Sequence, residues 1–340
     1  MAVLFSSSTS AATLIAVGAG VLGASALAGG VASAGRMGLS PGRRALIHWT
    51  PIAMAVLVAR WHGAWDIALG IIFGTSVAVM STVLGSVCAA GPVGPAPAGW
   101  KRVWPFTLVA ALIVYVSGFN GLLNWKHGIA LLVEGIALFS LWREAEGSDW
   151  IDPAQHRAED LAPRWLEWGA LVVGILLAAG GAYFATKGAT QLHGRVRLSP
   201  GTIGSTLLSL VLVAPMAQGD RRLAVAGASW LAATAEFGVV LLNLCVLLPV
   251  MAFVPYLGAY VRGAKASHGF LIDPSKYDLH LTEFPLALWR IDTVAIVLLS
   301  LLVLPVAMGK WNLAREEGVL LIAAYCIYIV AVTVAGLGVM

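Results

Sequence analysis

Charged residues are scarce in this sequence: Asp, Glu, Lys and Arg make up only 11% of its 340 residues. Soluble domains carry about 25% charged residues, so this chain cannot present an ordinary polar surface to water, and a soluble nucleotide-dependent enzyme is excluded. The 21 basic residues exceed the 17 acidic ones by four, and no basic run is longer than two residues. A nucleic-acid-binding surface is therefore excluded as well.

Cysteine is also rare, and the motifs of common catalytic sites are missing. Cys88, Cys245 and Cys326 all lie in apolar stretches without metal-ligand spacing, which excludes a secreted disulfide scaffold. The sequence contains no Walker loop, no HExxH motif, no CxxC pair and no GxSxG elbow. We therefore expect neither an enzyme nor a cofactor.

Apolar residues make up 59% of the chain, and its mean hydropathy is +0.86. A transmembrane helix needs about 20 apolar residues, and this pattern predicts an all-α, multi-pass protein of the lipid bilayer. The chain contains ten candidate helices, at 11–34, 45–59, 67–90, 103–123, 127–142, 167–187, 199–218, 223–254, 291–309 and 318–339.

The basic residues predict how the chain is threaded. When the long 255–290 loop is left out, loops on the side of the termini carry five Lys and Arg residues and the other side carries twelve. The positive-inside rule then places both termini outside the cytoplasm, in a prokaryotic inner membrane. Residues 143–166 become a cytoplasmic linker, and residues 255–290 an extracytoplasmic insertion that is a candidate surface for a protein partner.

An internal repeat divides the chain into two five-helix units, 1–142 and 167–340. Leu39-Ser40-Pro41-Gly42 recurs at 198–201, and KHGIALLVEGIAL near the end of the first unit corresponds to EEGVLLIAAYCIY, which pairs Gly128 with Gly318. An odd number of helices in each unit makes the second copy enter the membrane from the opposite face. The repeat is therefore an inverted one.

The stretch DIALGIIFGTSVAVMSTVLG at 66–85 resembles the third helix of the cation/calcium exchanger superfamily, whose pattern is DIAIGNxxGSNxxNxxxxLG. Asp66, Gly70, Gly74 and Gly85 fall in register without a gap, and the RxxPF sequence that begins at Arg102 is similar to the start of the family's fourth helix. The resemblance covers nearly the whole chain. It implies the fold of sodium/calcium and calcium/proton antiporters in the ten-helix prokaryotic form.

The family's cation-site motif GTSxPE is altered in both repeats. The resemblance places it at Ile47 to Ile52 and at Val211 to Met216, so that Pro51 and Pro215 remain while Ile52 and Met216 replace the two glutamates. Calcium takes six to eight oxygen ligands, which this set does not supply. The family's cation-site positions then read Thr50, Pro51, Ile52, Thr75, Ser76, Val79, Pro215, Met216, Val240 and Asn243.

Two carboxylates lie within predicted helices, where ionisable residues are costly and are functional candidates. Glu236 is four residues before Val240 and seven before Asn243, so all three share one helix face. Glu236 has two possible roles. It is either a relocated carboxylate that binds a proton or a cation, or a protonated residue that forms a hydrogen bond with a neighbouring helix. Glu134 is expected at the lipid edge or in an inter-subunit contact, and His48 is expected to be a packing residue because it has no paired ligand on its own helix. Trp49 is bulky enough to fill the volume of an ion.

Three hypotheses follow. The first is a non-transporting structural or accessory subunit, in which Trp49, Ile52 and Met216 fill the lost calcium site. The second is a secondary antiporter for sodium, protons or another cation, with a site rebuilt around Glu236 and Asn243. Conventional calcium exchange is the third hypothesis, and it requires ligands that the motifs do not provide.

Overall fold

The protein is an all-helical bundle in the computed structural model, which describes residues 13–18, 20–21, 40–94, 100–118, 125–147, 164–193, 199–253 and 286–338. The described residues form ten helical segments. We number them α1 (13–21, without residue 19), α2 (Pro41–Trp61), α3 (Trp65–Ala90), α4 (Phe106–Ser117), α5 (Trp125–Gly147), α6 (Arg164–His193), α7 (Pro200–Val225), α8 (Ser229–Phe253), α9 (Leu286–Ala307) and α10 (Arg315–Gly338).

The predicted all-α class is confirmed, and no described residue lies in a β-strand; Val93 and Leu313 form only an isolated bridge. Six described helices are long and apolar enough to cross a membrane, namely α3, α6, α7, α8, α9 and α10. The insertion at 255–290 and the linker at 143–166 fall largely outside the described residues. Only 286–290, 143–147 and 164–166 are described, and they belong to α9, α5 and α6.

Several predicted helix boundaries are wrong, and the differences bury charged residues. The sequence places the start of the second helix at 45, but α2 begins at Pro41, directly after Ser40, whose hydroxyl accepts a hydrogen bond from the Arg43 amide as an N-cap. The sequence ends the seventh helix at 218, but α7 continues to Val225. The eighth helix begins at Ser229 rather than 223. Arg44 and Asp220, expected in loops, are therefore helical and buried.

The local geometry of the first repeat recurs in the second with unchanged spacing. After the internal Pro51, α2 ends in a turn at Gly63, whose φ is +75°, and α3 contains a π-helical segment at Val79–Val83. After Pro215, α7 likewise ends at Gly227, whose φ is +85°, and α8 contains a π segment at Asn243–Leu247. Positive φ favours glycine at both turns. The predicted repeat boundaries remain a prediction.

Helices α3 and α7 run parallel in close contact through the middle of the bundle. A Cβ added to Gly70 would meet the Gly201 carbonyl oxygen at the start of α7, and one added to Gly91 would meet the Ala224 carbonyl oxygen at its end. Because α2 leads into α3, and α7 into α8, through tight turns, α2 and α8 run the opposite way. We call the end where α2 and α8 begin the first end, and the end where α3 and α7 begin the second end.

Candidate cation-binding site

The positions that the resemblance assigns to motif glutamates lie in the core of the bundle and are apolar. Ile52 on α2 and Met216 on α7 are buried, and so are Val79 on α3 and Val240 on α8. These four side chains offer no oxygen ligand. The centre of the bundle therefore contains an apolar layer, as the substitutions in the motifs predict, and Trp49 packs partly buried against the same core.

Three of the predicted neutral ligands meet at the crossing of α3 and α8. The Asn243 amide Nδ2 donates hydrogen bonds to Thr75 Oγ1 at 3.0 Å and to Ser76 Oγ at 3.1 Å. The two hydroxyls in turn donate to carbonyl oxygens of their own helix, at 2.6 and 2.8 Å. Asn243 Oδ1 is buried and has no hydrogen-bond partner among the described residues. It is the oxygen that this group leaves available.

Thr50 does not join that group. Its hydroxyl donates to the Leu46 carbonyl oxygen on the same helix, at 2.7 Å. Such a bond back to the preceding turn satisfies a threonine within its own helix. Unlike Thr75 and Ser76, Thr50 has no hydrogen bond to another helix among the described residues.

Glu236 lies in a cluster of four buried ionisable side chains toward the first end. Its Oε1 is 3.3 Å from His48 Nδ1, and the same His48 nitrogen is 3.8 Å from Asp220 Oδ2. Asp220 Oδ1 is 4.0 Å from Arg44 Nη1. One ligand atom from each of His48, Asp220 and Glu236 can be chosen so that all three lie within 4.8 Å of one another. We call these four residues the polar cluster.

The helix directions explain why these residues meet. Arg44 and His48 are four residues apart near the start of α2, and therefore share one face of that helix. Asp220 lies near the end of α7, which runs antiparallel to α2 and so reaches the same end of the bundle. Glu236 stands in the second turn of α8, which begins there. The cluster therefore joins both repeats.

The cluster has buried atoms without hydrogen-bond partners, and its two carboxylates outnumber its one arginine. Both oxygens of Asp220, Oε2 of Glu236 and Nε2 of His48 are buried without a hydrogen-bond partner among the described residues. Buried polar groups of this kind cost free energy unless they are paired. With Arg44 charged, His48 neutral and both carboxylates ionised, the net charge is −1. One proton or one cation would balance that charge.

Sequence reasoning identified Glu236 and named His48, but it missed Arg44 and Asp220. His48 was expected to lack ligands because none is spaced along its own helix; its carboxylate neighbours come from α7 and α8 instead. The internal repeat could have predicted that Asp220 lies in a helix. Pro215 stands as far before Val225 as Pro51 stands before Trp61, and this spacing places Asp220 within α7.

Another buried carboxylate lies toward the second end. Asp292 on α9 accepts hydrogen bonds from Tyr328 Oη at 2.8 Å and from Ser205 Oγ at 3.3 Å. It borders a cavity of about 20 Å³ that Asp66 and Ser205 also line, which is enough volume for one water molecule. The sequence analysis did not single out Asp292, because the predicted helix began at 291, next to that residue.

The lipid-edge position expected for Glu134 is wrong, and the inter-subunit contact stays a prediction. Its side chain is only 7% exposed within this single chain, so it does not lie at the lipid edge. The neighbouring Gly135 packs against the Cys245 backbone of α8. Glu134 is therefore part of the α5–α8 contact, away from the polar cluster.

Comparison with known proteins gives consistent results. The family model described as "Sodium/calcium exchanger protein" matches residues 45–142 and 166–334. The protein named "Putative antiporter CaxA" from Alkalimonas amylolytica is 27% identical over 169 residues. That match covers 47% of this chain and 52% of the relative, so the chain spans about half the length of the curated relative that it matches.

Solved structures of the sodium-calcium exchanger NCX_Mj share the fold. The form soaked with 10 mM Na⁺ and zero Ca²⁺ has a TM-score of 0.60 and 18% identity, with 95% of this chain and 99% of that chain covered. The form soaked with 2.5 mM Na⁺ and 10 mM Sr²⁺ has a TM-score of 0.62 and 18% identity, with 94% and 98% covered. At this identity the likeness concerns the fold alone.

Proposed function

Since this chain belongs to the sodium/calcium exchanger protein family, we propose that it is a secondary cation antiporter. In this proposal Glu236 binds the transported cation and the counter-transported proton in turn. The other members of the polar cluster hold and orient its carboxylate. The site is displaced from the family's motif positions toward the first end of the bundle.

The observation that carries the proposal is the polar cluster itself. Ionisable side chains within membrane helices are costly and are usually kept for a function. Here one ligand atom from each of Glu236, Asp220 and His48 lies within 4.8 Å of the others. Both oxygens of Asp220, Oε2 of Glu236 and Nε2 of His48 have no hydrogen-bond partner among the described residues. A purely structural contact would be expected to satisfy these atoms, whereas a binding site leaves them for its ligand.

Asn243 offers a second, deeper oxygen ligand that is separate from the polar cluster. It lies two turns beyond Glu236 on α8, and its buried Oδ1 is a neutral oxygen suited to a partly dehydrated cation. Its amide nitrogen is held by Thr75 and Ser76, which fixes the direction of that oxygen. The cation would thus meet an anionic ligand first and a neutral one deeper in the bundle.

The other two hypotheses have less support. Conventional calcium exchange at the motif positions has no ligands there, because Ile52, Val79, Met216 and Val240 are apolar and buried. No finding favours an accessory subunit, and the related proteins are exchangers and antiporters by name. We retain as proposals the prokaryotic inner membrane, the extracytoplasmic termini and a protein partner at 255–290.

The test is ion flux in sealed proteoliposomes that contain the purified, monodisperse protein. Gradients of Na⁺, K⁺ or Ca²⁺ are imposed in turn, and the internal pH is followed with a trapped dye. We expect at least one cation gradient to drive proton movement in the wild type, and the Glu236→Gln variant to show only the leak of protein-free liposomes.

Glu134→Gln is the matched control, because it also neutralises a buried glutamate in a membrane helix but lies outside the polar cluster. We expect it to keep the wild-type flux. Absence of flux from well-folded wild-type protein would overturn the proposal and favour an accessory role. Equal flux in the wild type and the Glu236→Gln variant would show that transport, if present, does not use this carboxylate.

A further inference from the structure

Arg44 is the fixed positive charge of the polar cluster, and the family motif GTSxPE contains no arginine. We propose that Arg44 makes this site selective for monovalent cations, such as Na⁺ and Li⁺, over divalent ones. This inference rests on the proposed function, because it names the class of cation that the same site takes. It makes Arg44 a residue that determines specificity through Asp220.

The positive charge of Arg44 is fixed. A guanidinium group stays protonated in proteins, and Arg44 Nη1 stands 4.0 Å from Asp220 Oδ1, with both side chains buried. Arg44 therefore balances one of the two carboxylates permanently. The single remaining negative charge is neutralised by one monovalent cation, whereas a divalent cation would leave the buried site with a net charge of +1.

The polar cluster offers few oxygen ligands. Calcium takes six to eight oxygen ligands, and its affinity depends on the number of charged ones. Asp220 and Glu236 offer four carboxylate oxygens between them, but Arg44 occupies the side of Asp220 Oδ1. His48 Nδ1 lies between the two carboxylates, at 3.3 Å from one and 3.8 Å from the other. These oxygen ligands are too few for a calcium site, and the positive charge of Arg44 lies close to them.

Arg44 is the arginine that faces Asp220 from inside the bundle. The start of α7, Ser199-Pro200-Gly201, lies at the second end, away from the cluster. Arg221 and Arg222 follow Asp220 on α7, but both are exposed. The removal of Arg44 therefore removes the buried arginine of the cluster and leaves His48 at 3.8 Å from Asp220.

The experiment measures equilibrium binding of ²²Na⁺ and ⁴⁵Ca²⁺ to protein in lipid nanodiscs. The proteins compared are the wild type, Arg44→Gln, Arg44→Lys and, as a control, Arg102→Gln, which removes an exposed arginine. We expect the wild type and the control to prefer Na⁺, and Arg44→Lys to keep that preference because it keeps the charge. Arg44→Gln should shift the ratio of the two affinities toward Ca²⁺ by at least about tenfold, since one unit charge is removed from within a few ångströms of the bound ion.

The outcomes separate this inference from the proposed function. Ca²⁺ bound in preference to Na⁺ by the wild type, or an unchanged affinity ratio in Arg44→Gln, would overturn the inference even if flux that depends on Glu236 is found. If Arg44→Gln does not fold, loss of Na⁺ selectivity in the folded Arg44→Lys variant would also count against it. Selective Na⁺ binding without any flux would leave the inference standing and overturn the antiporter proposal.

Discussion

The Arg44–Asp220 pair allows the strength of a contact in the polar cluster to be predicted from its geometry. The closest charged atoms are 4.0 Å apart, and the side chains are 1% and 0% exposed. Two unit charges at that distance attract by about 4 kcal/mol at an effective dielectric constant of about 20. Removal of one partner of a buried pair costs about 3–5 kcal/mol, because the other charge stays buried. We therefore expect Arg44→Gln and Asp220→Asn each to destabilise the protein by that amount, and the double variant by clearly less than the sum.

The assay is reversible unfolding by SDS in mixed micelles, with the four proteins of a double-mutant cycle. We expect a coupling free energy of about 2–4 kcal/mol. The control cycle uses Arg102 and Glu144, whose charged atoms are closer, at 3.5 Å, but whose side chains are each 69% exposed. Solvent-exposed pairs contribute about 0–1 kcal/mol. A coupling in the Arg44 cycle no larger than that of the control would refute the reasoning, because burial would then add nothing to the pair.

Three further predictions use the same unfolding measurement. A methyl group at Gly74 would overlap the backbone of α7, so Gly74→Ala should destabilise the protein by about 1–3 kcal/mol or more. The control Gly180→Ala places its methyl group in open space and should be neutral or stabilise by up to about 1 kcal/mol. Equal effects of the two substitutions would contradict the close crossing of α3 and α7. Tyr328→Phe removes a 2.8 Å hydrogen bond to a buried carboxylate and should cost about 1.5–3 kcal/mol, and no loss would mean that this bond is absent. Asn243→Ala removes two bonds between α8 and α3 and should cost about 2 kcal/mol; an unchanged stability would show that the amide does not connect the helices.

Most of the fold could be predicted because it depends on patterns that the sequence displays directly. The length of the apolar stretches predicts helices. The two LSPG segments, and Pro51 and Pro215 in the helices that follow them, predict the repeat. Helix ends were harder to place, because Arg44 and Asp220 are charged and hydropathy alone assigns such residues to loops. In the structure the N-cap at Ser40 and the glycine turn at Gly227 set the ends instead.

The candidate site could be predicted only in part, for a different physical reason. Loss of both motif glutamates is visible in the sequence, and so is Glu236 at a spacing that faces the site. The polar cluster, however, joins α2, α7 and α8, whose side chains are far apart along the chain. Their contact depends on the antiparallel course of α2 and α7, which brings His48 within 3.8 Å of Asp220. No spacing within one helix reports such a contact.

The polar cluster has no mirrored copy in the other repeat. Spacing from the prolines and the π segments identifies the counterparts of His48, Asp220 and Glu236 in the other repeat as Leu212, Val56 and Ile72. All three counterparts are apolar and buried.

The apolar layer of Ile52, Val79, Met216 and Val240 lies between the cluster and the second end. A charged group costs several kcal/mol in such surroundings, so in the proposed antiporter a cation at Glu236 would exchange more readily with the first end. Transport to the second end would then require these helices to move so that the layer no longer separates Glu236 from the cavity beside Asp292.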